Sequence, residues 1–222
     1  MENKLLLKIA NAIMINSQLT NNEGIYDGHT GHCIFLYVFA RKYEMGSFET
    51  FAEYLLNDIT EHLHYNQSID FQTGLSGIAY GVYYLMRNGY VEGDPDYILG
   101  DIDEYIQKKI DNENYSISTE IEGYVSPSYY IQYRKDDRKD IHIEENCDCT
   151  DLSKLGLYGW LAFIYGMKIR LSFSYTEVKN YAEEMLRNMD TTTDLTMRQL
   201  VGIGMGILND YYIFKEKQQN NE

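Results

Sequence analysis

Two groups of side chains in this sequence have the chemistry to hold a metal ion. The first contains His29, His32 and Cys33, whose spacings of three and four residues place them on one face of a helix start. The second is the pair Cys147 and Cys149, which offers two thiolates for a tetrahedral zinc site. The alternative is structural, because C-x-C is not a usual zinc spacing and Cys33 lies in an apolar run typical of a small core residue. We therefore expect no cofactor and keep zinc as the alternative.

Carboxylates near two glycine turns offer a different chemistry. Asp27 lies one residue before the first turn, and Asp70 lies four residues before the second. Paired carboxylates at the edge of a pocket would suit glycoside hydrolysis. The alternative is that each aspartate caps a helix. His62 and His64 fall at the end of a predicted helix, where a favourable interaction with the helix C-terminus is expected.

A recurring unit positions these residues: a glycine turn that opens an apolar helix. Gly74 and Gly77 introduce one copy, and two glycines in a helical turn indicate close approach of another backbone or of a ligand. The interval from Gly28 to Gly74 is 46 residues, and the interval from Gly156 to Gly202 is the same. A repeat of this length predicts helical hairpins. The other copies are Gly28-His-Thr-Gly31, Gly156-Leu-Tyr-Gly159 and the degenerate Gly202-Ile-Gly-Met-Gly206.

Plain amphipathic helices alternate with the glycine-opened ones. Ser47 is predicted to cap one of them, Asp94 and Pro95 to start another, and Ser174 with Glu177 to form the capping box of a third. Gly89 is predicted to end the helix of the second copy. In chain order, helices are predicted over about 1–18, 27–43, 47–63, 70–89, 94–110, 155–171, 174–186 and 196–214.

An insertion over about 113–153 separates the two halves of the repeat. Weak alternation at 115–118 and 129–133 predicts a short β-hairpin, a mixed-charge turn covers 134–140, and 144–149 is acidic and polar. We interpret the insertion as a surface excursion from a single domain that spans 1–222.

Composition and charge narrow the function classes. The chain has 222 residues, is 44% hydrophobic and carries a net charge of −15. This charge disfavours nucleic acid and anionic membranes as partners, and it is compatible with a basic peptide or with a simply solvated surface. We expect neither a membrane span nor a signal peptide. Three cysteines favour a reducing compartment, and hence the cytoplasm.

One architecture suits alternating helices with glycine openings. The glycine helices would form an inner ring, and the plain helices would pack outside it. The glycine turns would then meet at a central mouth, where ligand pockets are often built between helices. The alternative is that the glycines serve helix packing alone. The residues predicted to line the mouth are Tyr26, Asp27, His29, His32, Asp70, Gln72, Tyr158 and Trp160.

The same segments resemble a known family. Gly24-Ile-Tyr-Asp-Gly-His-Thr-Gly31 is similar to the first repeat of lanthionine synthetase C-like proteins, and Gly74-Leu-Ser-Gly-Ile-Ala-Tyr-Gly81 is similar to their next repeat. The resemblance covers most of the chain except the insertion. It implies an all-α fold, an α/α toroid of helical hairpins, here as an incomplete or small ring. It also implies peptide cyclisation, in which zinc held by two cysteines and a histidine activates a peptide thiol.

The chain departs from the family pattern at the zinc ligands. Gly159-Trp160 is followed by Leu161 where the family has cysteine, and no Cys-His-Gly segment occurs. We therefore expect a non-catalytic accessory or peptide-binding module in peptide modification. The alternatives are a zinc-dependent thioether cyclase with a relocated site and a glycosidase-like toroid enzyme. An incomplete ring would expose apolar flanks, so we also expect self-association or a partner protein.

Overall fold

The structure, a computed structural model, describes residues 2–17, 22–26, 28–63, 67–113, 124–135, 146–189 and 194–215. The chain divides into two compact units. The terminal unit comprises Met1–Ile15 and Asp140–Glu222, and the central unit comprises Asn16–Lys139. The single domain predicted over 1–222 stays a prediction. Much of the predicted insertion, 114–123 and 136–145, lies outside the described residues.

The described chain is mostly helical, as the sequence predicts. Its helices are α1 (Glu2–Asn16), α2 (His29–Tyr43), α3 (Gly46–His62), α4 (Leu75–Arg87), α5 (Pro95–Glu113), α6 (Pro127–Lys135), α7 (Leu155–Tyr165), α8 (Tyr175–Arg187) and α9 (Asp194–Leu208). Its strands are β1 (Asn146–Cys149), β2 (Lys168–Leu171) and β3 (Tyr212–Ile213), and a short 3-10 helix covers Leu152–Lys154.

The central unit is built around the two glycine-opened helices α2 and α4. Helix α2 packs on α3 and α4, and α4 also packs on α5 and α6. Residues 29–40 of α2 are buried without interruption, and α4 exposes little before its last turn. The aromatic rings of Phe35, Phe39 and Phe48 stack within this core, with Phe39 edge-on to Phe48 at 5.3 Å. Helices that are apolar nearly all round are surrounded by other elements, as the sequence predicts for them.

The hairpin predicted for 129–133 is wrong, because this segment lies in helix α6. Ser126 accepts a hydrogen bond at its Oγ from the Ser128 amide, and Pro127 takes the first helical position, so a helix starts here. The weak alternation of tyrosines instead supplies an aromatic face for α4. Tyr133 lies 4.9 Å from Tyr80 and 5.6 Å from Tyr83, measured between ring centroids. The other half of the predicted hairpin, 115–118, lies outside the described residues.

The terminal unit combines helices with a small parallel sheet that the sequence reading does not foresee. The strand order is β1-β2-β3, with Cys147 opposite Ile169 and Ile169 opposite Tyr212. Helix α7 connects β1 to β2, while α8 and α9 connect β2 to β3, as parallel strands require crossover helices. Helix α7 packs on α9 along much of its length.

Two predicted helices of this unit end earlier than expected. Helix α7 stops at Gly166, whose φ of 67° is left-handed, and 168–171 is a strand instead of a helical continuation. Helix α9 ends at Leu208, after which Asp210 takes a positive φ and β3 begins at Tyr212. Polar and apolar residues alternate along Lys168-Ile-Arg-Leu171, with Ile169 and Leu171 buried, and this period of two was the available signal.

Most predicted helix ends are confirmed, and one is wrong. Ser174 and Glu177 form the predicted capping box of α8. The Asp94 carboxylate accepts from the Asp96 amide at 3.0 Å at the start of α5, and Gly89 follows α4 with a φ of 66°. Ser47, however, is not a cap, because α3 already begins at Gly46 and no side chain caps it.

Glycines permit the closest contacts of both units. In the terminal unit, a Cβ atom at Gly202 would overlap the carbonyl oxygen of Gly156, and one at Gly159 would overlap that of Gly202. In the central unit, a Cβ atom at Gly77 would overlap the loop carbonyl oxygen of Phe71. Backbone packing therefore accounts for these glycines, which is the alternative to ligand approach that the sequence left open.

Candidate functional site

The two glycine turns of the central unit bind each other through their backbones. The amides of Ile25 and Tyr26 both donate to the Gln72 carbonyl oxygen, at 3.0 and 3.2 Å. Tyr26 is fully buried, whereas Gln72 is half-buried. These two turns therefore meet through backbone groups, while the central mouth at which all the glycine turns would meet stays a prediction. Asp27 lies outside the described residues.

Asp70 forms hydrogen bonds within its own turn. Its carboxylate accepts from the Thr73 amide at 2.8 Å and from the Thr73 hydroxyl at 3.0 Å. The turn is further held by the buried hydroxyl of Ser76, which donates to the Ile69 carbonyl oxygen at 2.6 Å. These bonds are those of an aspartate that caps a turn before a helix. The catalytic role of Asp70 in sugar hydrolysis stays a prediction.

His29 is clamped between two acceptors. Its Nδ1 lies 3.0 Å from the Asp58 carboxylate on α3, and its Nε2 lies 2.8 Å from the Ser17 carbonyl oxygen. Both ring nitrogens therefore lie within hydrogen-bond distance of oxygen atoms of the protein. Sequence reasoning missed Asp58, although its place four residues before His62 was a usable signal.

His62 confirms the interaction predicted at the end of α3. Its Nδ1 donates to the Asp58 carbonyl oxygen at 2.9 Å, in the last turn of the helix. This backbone bond and the nearby Asp58 carboxylate raise the pKa of the exposed imidazole. His64 lies outside the described residues.

His32 and Cys33 are enclosed in the core of the central unit. Neither ring nitrogen of His32 has a hydrogen-bond partner, and burial, followed by the neighbouring His29, lowers its pKa to about 3. Cys33 donates its thiol to the Ala52 carbonyl oxygen at 3.3 Å, and burial raises its pKa. His32 is therefore a neutral imidazole and Cys33 a protonated thiol, as expected of core residues.

The remaining predicted residues belong to the terminal unit. Trp160 is fully buried, and its Nε1 donates to the Arg198 carbonyl oxygen at 3.3 Å, whereas Tyr158 is half-buried. Cys147 is half-buried and Cys149 is buried on β1. Burial raises the pKa of the Cys149 thiol, which lies 3.3 Å from the Asp151 carbonyl oxygen. The described part of the chain contains no group of three or more His, Cys, Asp and Glu side chains arranged to hold a metal.

An acidic groove on the central unit was not foreseen. It has a volume of about 660 Å³ and lies between α3, Tyr37 of α2 and the segment that follows α4. Within the described ranges, no lysine or arginine lines it, and none of its glutamates forms an ion pair. We call it the α3 groove; its main lining residues are Tyr37, Glu49, Glu53, Leu56, Tyr90 and Glu92.

A second groove of about 650 Å³ lies between α5 and α6, and it is lined by both acidic and basic side chains. The Arg134 guanidinium binds the carboxylates of Asp103 and Asp96, each at 2.9 Å. Lys135 donates to Gln107 at 3.0 Å. The two grooves are of similar size, but the α5–α6 groove has lysine and arginine among its lining residues, whereas the described residues that line the α3 groove include neither.

No helix in the described part of the chain is both long and apolar enough to span a membrane. Comparison with family models, with curated proteins and with solved structures gives no match, so the function is argued from the residues themselves.

Proposed function

We propose that this chain is a non-catalytic binding module that recognises a basic peptide or a basic segment of a partner protein. The observation that carries the proposal is the α3 groove, whose three glutamates have no ion-pair partner in the described chain. Carboxylates that face a solvent-filled groove attract a cationic ligand, because complementary charge speeds encounter and selects the partner. The net charge of −15 favours the same class of ligand.

The groove presents carboxylates and apolar surface side by side. Glu49 and Glu53 lie one turn apart on α3, and Glu92 lines the groove from the segment that follows α4. The groove also contains apolar surface from Leu56 and the tyrosine rings. Carboxylates beside aromatic surface suit a peptide that carries both basic and apolar side chains.

The resemblance to lanthionine synthetase C-like proteins gives this module a context. In the proposal, the chain forms an incomplete ring of that type and serves peptide modification as an accessory rather than as a catalyst. Support comes from the mostly helical chain, with paired glycine-opened helices in each unit. The missing family zinc ligands support the accessory role. Light scattering tests whether a second copy completes the ring, since a monodisperse monomer would count against self-association.

Fluorescence anisotropy with labelled peptides tests the binding function. We expect a ten-residue peptide of lysine, glycine and leucine to bind, and a peptide with glutamate in place of lysine not to bind. The double variant Glu49→Gln/Glu53→Gln should weaken binding about tenfold, because it removes two carboxylates from the groove.

A charge-matched control separates the groove from the overall charge. Glu61→Gln/Asp101→Asn removes the same number of charges from α3 and α5 at exposed positions outside the groove. This variant should bind within about twofold of the parent chain, since exposed charges further away are screened by salt. Equal weakening by both double variants would show that only net charge acts, and it would overturn the proposed site.

A further inference from the structure

A buried tyrosine reaches the floor of the α3 groove. Tyr37 is only 3% exposed, and its ring lies 6.0 Å from the ring of Tyr90. Its hydroxyl makes no hydrogen bond with any residue that the structure describes, yet the side chain lines the groove. The ring is buried, whereas the hydroxyl oxygen keeps contact with solvent, so it can accept a hydrogen bond from a ligand in the groove.

The surroundings of this hydroxyl are acidic. Burial raises the pKa of Tyr37, and the neighbouring Cys33, Glu53 and Glu49 raise it further, in that order. The phenol is therefore neutral at physiological pH, and its oxygen retains lone pairs that can accept a hydrogen bond. Glu49 and Glu53 are four residues apart on α3 and so present their carboxylates on the same face of the helix.

The guanidinium of Arg41, which lies beside the groove residue Tyr90, is bound by backbone carbonyl groups. Arg41 lies 3.9 Å above the ring of Tyr90, and it donates to the carbonyl oxygens of Asn88 and Gly89 at 3.1 and 2.6 Å. These contacts hold its charge against the turn that follows α4. Arg41 therefore covers Tyr90 and leaves the carboxylates of the groove without a cation.

In the α5–α6 groove, a tyrosine and two carboxylates are joined by a cation. There the Tyr130 hydroxyl donates to the Asp103 carboxylate, and Arg134 binds both Asp103 and Asp96. The Arg134 guanidinium also lies 4.6 Å above the ring of Tyr83. The tyrosine, the two carboxylates and the cation are thus linked by hydrogen bonds and ion pairs. The α3 groove holds the tyrosine and the carboxylates without the cation.

We propose that the α3 groove binds the ammonium group of a lysine side chain, with Tyr37, Glu49 and Glu53 as its acceptors. The proposal rests on the proposed peptide-binding function and names its ligand. An ammonium carries three donors that point in different directions, which suits three acceptors on separate side chains. A guanidinium is planar and pairs best with both oxygens of one carboxylate, so arginine fits this arrangement less well.

Binding of three otherwise identical peptides to the full chain tests the lysine assignment. The peptides carry lysine, arginine or Nε-acetyl-lysine at the basic positions. We expect the arginine peptide to bind several-fold more weakly, because it cannot satisfy the three acceptors. Acetylation should weaken binding by at least about tenfold, because it removes the charge. Equal affinity for the arginine and lysine peptides would overturn the proposal.

The variant Tyr37→Phe tests the hydroxyl by itself. It keeps the ring against Tyr90 and removes only the acceptor, so affinity for the lysine peptide should fall about tenfold while affinity for the acetylated peptide stays unchanged. Tyr54→Phe, on the exposed side of α3, is the matched control and should have no effect. Thermal unfolding of each variant, followed by circular dichroism, shows whether the fold is retained.

The outcomes separate this proposal from the function on which it rests. If Glu49→Gln/Glu53→Gln weakens binding and Tyr37→Phe does not, the peptide-binding function stands and the role of Tyr37 is overturned. If no basic peptide binds the parent chain, both are overturned. The comparison of lysine and arginine peptides uses the unmodified protein, so it decides the question even if Tyr37→Phe fails to fold.

Discussion

The two units use the same sequence motif in different ways. In the terminal unit, Gly156, Gly159 and Gly202 bring the backbones of α7 and α9 into contact, helix against helix. In the central unit, Gly77 brings α4 against the carbonyl of a preceding loop, and Gly81 brings it against the Thr30 methyl group of α2. A glycine turn that opens an apolar helix therefore predicts a close backbone contact, but it does not predict what is contacted.

The helix-to-helix contact should be the most sensitive to change. A methyl group at Gly202 would overlap a carbonyl oxygen that belongs to α7, and a helix backbone cannot move locally without losing its own hydrogen bonds. We expect Gly202→Ala to lower the free energy of unfolding by at least about 3 kcal/mol, measured by urea denaturation.

Gly100→Ala serves as its control, because nothing lies within 4 Å of a Cβ atom there. This change lies inside α5 and should stabilise by about 0.5–1 kcal/mol, since alanine is the better helix former. A Gly202→Ala chain as stable as the parent would show that α7 and α9 can separate without cost, contrary to the close packing of their backbones.

The helix-to-loop contact of the central unit should be more tolerant. Gly77→Ala would displace the Phe71 carbonyl, which belongs to a loop held by Ser76 and by the Asp70 turn. We expect a loss of about 2 kcal/mol, because a loop can shift further than a helix. Hydrogen exchange should place the change within 67–87, and a loss larger than that of Gly202→Ala would contradict the comparison.

Acid should weaken the central unit through His32. The pKa of its imidazole is about 3 in the fold and about 6.5 when exposed, so the unfolded chain gains a proton that the folded chain does not bind. The stability from keeping His32 neutral is present at pH 7 and is lost as the pH falls from about 6.5 to about 3. Between pH 7 and 5 the free energy of unfolding should fall by about 2 kcal/mol.

The variant His32→Met assigns this pH dependence to a residue. Methionine fills a similar apolar space without a titrating group, so the slope between pH 7 and 5 should flatten. His62→Gln is the control, because His62 changes the free energy of unfolding with pH in the opposite direction. The raised pKa of His62 means that its contribution is present below about pH 6.5 and is lost as the pH rises through the folded value. An unchanged slope in His32→Met would show that other groups govern the acid response.

The smallest effect is expected at a helix cap of the terminal unit. Ser174→Ala removes the side chain that accepts from the Glu177 amide, and we expect a loss of about 1 kcal/mol in thermal or urea unfolding. Ser47→Ala is the matched test, because Ser47 was predicted to cap α3 and does not. Its effect should stay within about 0.5 kcal/mol, and equal losses at the two serines would mean that Ser47 also caps a helix.

Local signals in the sequence predicted the helices well. The stripe of Leu5, Leu6, Ile9 and Ile13 is fully or almost fully buried, and the Asp94 cap and the α8 capping box form as expected. These features depend on residues within about one helical turn of each other, so no knowledge of the fold is needed to recognise them. The strands are different, because the short parallel strands β1, β2 and β3 pair only through distant parts of the chain.

The residues of the α3 groove also come from distant parts of the chain, so local sequence signals do not predict that they lie together. From the sequence, Tyr37 belongs to an apolar helix and Glu49 and Glu53 to the solvated face of another, so nothing joins them. Their meeting depends on how α2 packs against α3. His29 and Asp58 meet in the same way, across 29 residues of chain.

The sequence by itself determined most of the helices of this protein, with α6 as the exception, and it determined which faces they bury and that its glycines mark close contacts. Helical periodicity, caps and glycine geometry act over a few residues, and the free energies involved are local. The tertiary structure decided what each glycine contacts, that three short segments form a parallel sheet and that Tyr37 meets two unpaired glutamates. Those outcomes depend on side-chain packing between elements far apart in the chain, where burial and steric fit determine which groups become neighbours.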